Sequence, residues 1–181
     1  GDPDHIPELT YEHYLDFYHK YYHPSNSYIY LYGDMDVKER LEWMDRAYLS
    51  AYESMEIDSN IPMQKPFDAM KFVETTFPIT DDDPEENNTY LSYNMVIADV
   101  LDPTLYQAFT VLDYVLVSAP GAPVRQALID AGIGEDVYGS YENEMLQPFF
   151  SIVAKNANKG DKDRFVRIIE DTLQNLVENG L

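Results

Sequence analysis

The stretch from Tyr21 to Asp34 reads Tyr-Tyr-His-Pro-Ser-Asn-Ser-Tyr-Ile-Tyr-Leu-Tyr-Gly-Asp, and its periodicity changes in the middle. Few backbone paths satisfy both halves. Upstream, Tyr11, Tyr14, Leu15, Tyr18 and Tyr22 recur at helical spacing, and Thr10 stands where an N-cap belongs. His23-Pro24 ends that helix, because the residue before a proline is pushed out of the α region. Ser27 to Tyr32 then alternates aromatic and aliphatic side chains without a charge. That pattern predicts a well-buried strand, which Gly33 closes.

Downstream, Asp36 with Glu39 three residues later matches a capping box and predicts a second helix from Val37 to about Glu53. Leu41, Met44, Tyr48, Leu49 and Tyr52 are its expected buried stripe. Residues 55–68 hold two prolines and no sustained periodicity, and read as a linker.

Beyond the linker the pattern changes. A strand is expected over Ala69 to Phe77, an exposed acidic loop over Thr80 to Asn88, and a second strand from the alternation Tyr90 to Ile97. Asp102-Pro103 opens a helix to about Val117. Ala119-Pro120-Gly121 breaks it, and a shorter helix from Ala122 to Ala131 stops at Gly132. Strands near Val137 to Asn143 and Phe149 to Lys155 follow. Asp161 is the expected cap of a last helix to about Glu178, with Phe165, Ile168, Ile169, Thr172, Leu173 and Leu176 facing inward. Two strand pairs with helices on one face predict an α+β fold with a mixed, largely antiparallel sheet.

Composition narrows the function. The apolar fraction of 45 % argues against intrinsic disorder. No apolar run approaches the length of a membrane span, so no membrane partner is expected. The absence of cysteine removes disulfides and thiolate metal sites and fits a reducing compartment. A bacterial cytoplasm is the expected location, with an organelle matrix as the alternative. A formal net charge of −21 argues against nucleic acid as a partner. The charge is uneven: between Lys71 and Arg125 there is no basic residue, while Glu74, Asp81, Asp82, Asp83, Glu85, Glu86, Asp99, Asp102 and Asp113 all fall there. Such a stretch is either a solvated acidic face or a wall that attracts basic peptides.

Two blocks carry a resemblance. The first is Tyr22 to Asp34. The second is Ala122-Pro123-Val124-Arg125-Gln126-Ala127-Leu128-Ile129-Asp130-Ala131-Gly132-Ile133-Gly134, continued by Tyr141-Glu142-Asn143-Glu144 and Gln147-Pro148-Phe149-Phe150-Ser151-Ile152. Together with the element order they resemble the pitrilysin/insulinase-type zinc metallopeptidases, and within them the presequence-protease subfamily. The resemblance implies a longer parent protein with four related domains in two halves. The halves would enclose a chamber where zinc-activated water attacks short unfolded peptides. Residues 1–54 would be the closing helix-strand-helix of the first, metal-bearing repeat, 55–68 the linker, and 69–181 most of the second, non-catalytic repeat. Gly1 then reads as the start of an excised piece. The expected partners are unfolded, basic peptides and the remaining domains of the parent. If an isolated piece leaves a sheet edge uncovered, the leading residues would dock back or two copies would form a homodimer. A catalytically silent structural or peptide-binding subunit is the alternative.

The family's catalytic signature, H-x-x-E-H on a helix, is missing. His19 and His23 are four apart, but Tyr22 stands where the inverted motif needs glutamate and Lys20 where the ordinary zincin motif needs it. The expectation is therefore no catalytic residue and no metal ligand in this segment, with zinc implied only for the parent. Other templates fail too. Ser140 after Gly139 lacks the nucleophile-elbow pattern, and Gly132-Ile133-Gly134 ends a helix where a dinucleotide loop would open one. Asp81-Asp82-Asp83-Pro84-Glu85-Glu86 lacks the alternation and central glycine of a calcium loop. Asn87-Asn88-Thr89 is a glycosylation sequon, meaningful only on a secretory route. Some resembled enzymes bind substrate with an arginine and a tyrosine seven residues apart, in the half opposite the zinc. Arg125 lies in a similar place within the repeat, but Tyr138 is too far along, so Arg125 reads as a structural or surface charge. The substrate-binding residues stay unknown at this level.

Overall fold

The computed structural model describes residues 2–181, and the chain divides into two compact units, Gly1–Pro62 and Met63–Leu181. In the first unit, helix α1 (Tyr11–Tyr21) begins where the Thr10 hydroxyl accepts the His13 N–H at 3.1 Å. It ends at a short 3-10 turn, Pro24–Asn26, and the Asn26 amide donates to the orphan Tyr21 carbonyl at 3.0 Å. Helix α2 (Val37–Ala47) starts at Asp36, whose carboxylate accepts the Glu39 N–H at 3.0 Å. Ser25 and Asn26 also bond to Met55 and Ser59, at 3.2 and 2.8 Å, which ties the linker back to the turn.

Two expectations for this unit fail. Residues 27–32 form no ladder, and Tyr28, Tyr30 and Tyr32 lie in solvent. Their alternation survives locally: the Tyr30 and Tyr32 rings stack 6.5 Å apart, on one side of the chain. A strand is buried by its neighbours, and the described residues of this unit contain no strand to pair with this segment. The second helix also stops early. Tyr48 leaves helical geometry at φ −142°, and a 3-10 turn, Leu49–Ala51, replaces the last turns. The stripe of Leu41, Met44, Tyr48, Leu49 and Tyr52 is exposed or half-buried, because no layer within the unit covers it.

The second unit holds the core. Strands β1 (Thr89–Val96), β2 (Asp136–Glu142) and β3 (Phe149–Ala157) form an antiparallel sheet in the order β1-β3-β2. Registers such as Tyr93↔Ile152 and Gly139↔Ile152 place Leu91, Tyr93, Val137, Phe150, Ile152 and Ala154 on one face. Helices cover that face: α3 (Pro103–Asp113), a π-turn Tyr114–Ser118, α4 (Pro123–Asp130) and α5 (Lys162–Asn179). Phe150, Ile152, Val117, Val124, Leu128, Ile133, Phe165 and Ile169 are at most 2 % exposed. Each such side chain contributes about 1.5–3 kcal/mol of transfer free energy.

Local chemistry explains the helix ends. Asp102 accepts the Thr104 and Leu105 N–H groups at 2.9 and 3.0 Å, as its position before Pro103 requires. Helix α4 ends in a Schellman motif: Ile133 N–H reaches the Leu128 carbonyl and Gly132 N–H the Ile129 carbonyl, with Gly132 at φ +68°. The expected strand over Ala69 to Phe77 does not form. That segment is held by side chains, Glu74 to Lys159, Phe72 under Lys162, and Phe77 against Tyr90, and has no ladder. Val73 and Phe72 stay in solvent, so its alternation buries nothing. Asp161 also departs from its expected role. It is the last residue of a 3-10 turn, Lys159–Asp161, in helical geometry, and its carboxylate pairs with Arg164 at 2.9 Å instead of capping α5. No helix among the described residues is long and apolar enough to cross a membrane.

Candidate functional site

The histidine pair does not share a helix face. Helix α1 ends at Tyr21, and His23 is extended at φ −141°, ψ 147°. Its Nδ1 accepts the Ser25 N–H at 3.1 Å, and its ring packs edge-on against Tyr52. A zinc ion would have to displace that hydrogen bond and finds only His19 on the preceding helix, so the pair does not fit a metal. Among the described residues no group of three His, Asp or Glu side chains is placed to hold a metal ion.

The acidic run and the sequon have local jobs. Asp83 accepts the Thr80 hydroxyl at 2.8 Å and the Thr80 N–H at 3.1 Å, which holds its carboxyl below the usual range. Asn87, at φ 55°, exchanges two hydrogen bonds with Asn158. Gly134 lies so close to β3 that a Cβ would come within 2.8 Å of the Lys155 carbonyl. Ser140 is paired in register with Ser151 on the helix-free face of the sheet.

The side chains with unspent chemistry meet elsewhere, in an open cleft of about 250 Å³ bounded by the π-turn, α4 and β2. Val117 and Val137 line it together with Ser118, Arg125, Asp136 and Tyr138. Arg125 sits on the first turn of α4, where Pro123 at the first position sets the helix start without help from a side-chain cap. Its Nη2 lies 3.8 Å from Asp136 Oδ1, beyond hydrogen-bond reach, and its Nε is shielded from solvent with no partner. Behind Ser118, Asp113 Oδ2 accepts the serine hydroxyl at 3.2 Å, while Oδ1 packs against Gly139 without a partner. Only glycine lets β2 come so near: a Cβ at 139 would meet Asp113 Oδ1 at 2.9 Å and Val117 Cβ at 3.0 Å. On the inner face, burial pushes the Tyr141 and Tyr93 phenols up, with Tyr106 and Glu170 adding to it, so both stay protonated donors.

Sequence reasoning singled out Arg125 and Tyr138 and missed Asp113, Ser118 and Asp136. One signal was available. Asp113 is the lone charge in the apolar run Phe109 to Val117, where an acid on a core helix needs a reason. Asp136 carried no such mark.

Comparison with known proteins places this geometry. The family model described as Peptidase M16 inactive domain matches residues 8–181. Protein HypA of Clostridium perfringens is 45 % identical over 181 residues, covering 100 % of this chain and 19 % of that protein. Presequence protease 1, chloroplastic/mitochondrial, of Arabidopsis thaliana is 33 % identical over 184 residues, covering 99 % of this chain and 17 % of that protein. The mitochondrial presequence protease of Danio rerio is 29 % identical, with 99 % and 18 % covered. The chain therefore spans less than a fifth of the length of these relatives. With an α+β fold, helices on one face of an antiparallel sheet and a match over nearly its whole length, this chain belongs to the inactive-domain family of the M16, pitrilysin-type peptidases.

Proposed function

We propose that this chain is an internal, non-catalytic segment of a zinc-dependent endopeptidase that degrades short unfolded peptides, as the names of its presequence-protease relatives suggest. Residues 1–54 close the preceding, metal-bearing repeat, 55–68 link the two, and 69–181 make most of the second repeat. The segment is scaffold and chamber wall and supplies no ligand to zinc, which the preceding repeat holds. Its basic-free stretch between Lys71 and Arg125 presents negative charge to cationic peptides. A bacterial cytoplasm is the proposed compartment.

One observation carries this reading: the match to an inactive peptidase domain runs from residue 8 to residue 181, so both units fall inside one family pattern. Reading the parent protein on the N-terminal side of this segment should reveal H-x-x-E-H. The purified parent should cleave Arg-rich unfolded peptides, lose that activity to a chelator and regain it with zinc. A parent without the motif that binds such peptides but leaves them intact is a silent structural or peptide-binding subunit, and the enzyme reading fails.

A further inference from the structure

We propose that Arg125 binds the carboxylate of a peptide ligand in the cleft between the π-turn, α4 and β2, displacing Asp136. The choice of a peptide rests on the function proposed above; the choice of a carboxylate rests on the guanidinium itself. An arginine side chain recognises carboxylates best through two parallel N–H donors. On Arg125 the edge formed by the two Nη groups is unspent: neither makes a hydrogen bond among the described residues, and Nη2 faces Asp136 at 3.8 Å, while Nε is shielded behind them. The side chain is 39 % exposed, so the Nη end of the guanidinium is reachable from solvent, while Nε is not.

Asp136 is the intramolecular competitor, and a weak one. Its side chain is 58 % exposed, and the only cationic side chain within 4 Å of it among the described residues is Arg125. A pair this open and this long is largely hydrated, and an incoming carboxylate with bidentate geometry displaces it readily. The cleft supports the rest of a terminal residue. Ser118 and Tyr138 line it together with Val117 and Val137, which are almost fully buried beneath it.

The surrounding charge selects which carboxylate. With 33 acidic against 12 basic residues, the protein repels anions at long range. Arg125 is the first cation after Lys71. A free anion is therefore a poor ligand, whereas a basic peptide with a free C-terminus brings its cations to the acidic surface and its carboxylate to Arg125.

The test uses this chain and a Lys/Arg-rich peptide made as the free acid and as the C-terminal amide, with binding followed by fluorescence anisotropy. The free acid should bind about tenfold tighter than the amide, the scale of a charge-assisted bidentate contact. Arg125→Gln should erase that preference and leave the amide's affinity unchanged. Asp136→Asn, which removes the competitor from a surface position, should widen the preference. Equal affinity for acid and amide, a preference that survives Arg125→Gln, or one that narrows in Asp136→Asn overturns the assignment. If Arg125→Gln fails to fold, the Asp136→Asn result alone decides. Failure here leaves the proposed function standing, because that reading is tested by zinc-dependent cleavage in the parent.

Discussion

Helices α1 and α5 both carry apolar residues at helical spacing, and only one of the two stripes is buried. Tyr11, Tyr14, Phe17, Tyr18 and Tyr22 on and just after α1 all lie in solvent, whereas Phe165 and Ile169 of α5 are at most 1 % exposed. The difference lies outside the helices. Helix α5 belongs to a unit with a three-stranded sheet, whereas the described residues of the first unit form helices and turns and no ladder. An amphipathic helix is stabilised mainly by the layer it packs on, so a stripe of correct spacing is a demand for a partner. The exposed tyrosines of residues 27–32 make the same demand, and no layer among the described residues of the first unit answers either one.

The sharpest way to break this contrast is to cut equivalent aromatic side chains from the two stripes. Phe165→Ala should destabilise cooperative urea unfolding of the second unit by about 3–5 kcal/mol, since it removes a fully buried ring. Tyr14→Ala should shift the same transition by less than about 0.5 kcal/mol, the range of exposed substitutions. Comparable losses from both would mean that α1 is buried in solution by something the first unit does not itself provide.

Caps offer a finer comparison, because Asp36 and Asp102 each accept the N–H three residues on, one in each unit. Asp102→Ala should lower the unfolding free energy of the second unit by about 1 kcal/mol. Asp36→Ala should reduce far-UV helicity and leave that transition in place. A matching shift from both caps would show that the two units unfold as one.

These residues also show what could be read from the chain. Thr10, Asp36, Asp102 and Gly132 each announced a helix end, because capping is decided within a few residues of sequence. The stripe of α5 and the three strands were equally legible, since their apolar periods are answered by one another. The failures share a cause. Residues 27–32 and 69–77 alternate as strands do, but a ladder is a property of two segments and each lacked its second. Asp161 was misassigned because Arg164, one turn on, takes its carboxylate, a competition that local spacing does not rank. The cleft was not legible: Arg125 drew notice only through the resemblance and read as a structural or surface charge, and Asp136 became its neighbour only once β2 was placed beside α4.

The segment at 69–77 falls between the two extremes, and the ion pair that holds it gives the smallest predicted effect. Glu74 accepts a hydrogen bond from Lys159 at 2.5 Å, and that bond, reinforced by the lysine's charge, holds the Glu74 carboxyl below the usual range. A lowered folded-state pKa means that the pair's contribution is fully present above the ordinary glutamate pKa and is lost as pH falls through the folded value. Both side chains are well exposed, at 67 % and 78 %, so salt screens the pair and global stability should hardly respond. The local response is measurable. Following the Glu74 carboxyl by NMR, Lys159→Ala should return its titration upward toward the ordinary glutamate range. Amide exchange in residues 69–79 should quicken in the same variant when both proteins are compared at one pH above the Glu74 titration. An unchanged Glu74 titration in Lys159→Ala would place the anchoring of this segment on Phe72 and Phe77, whose contacts with Lys162 and Tyr90 bury little and carry no pH dependence in that range.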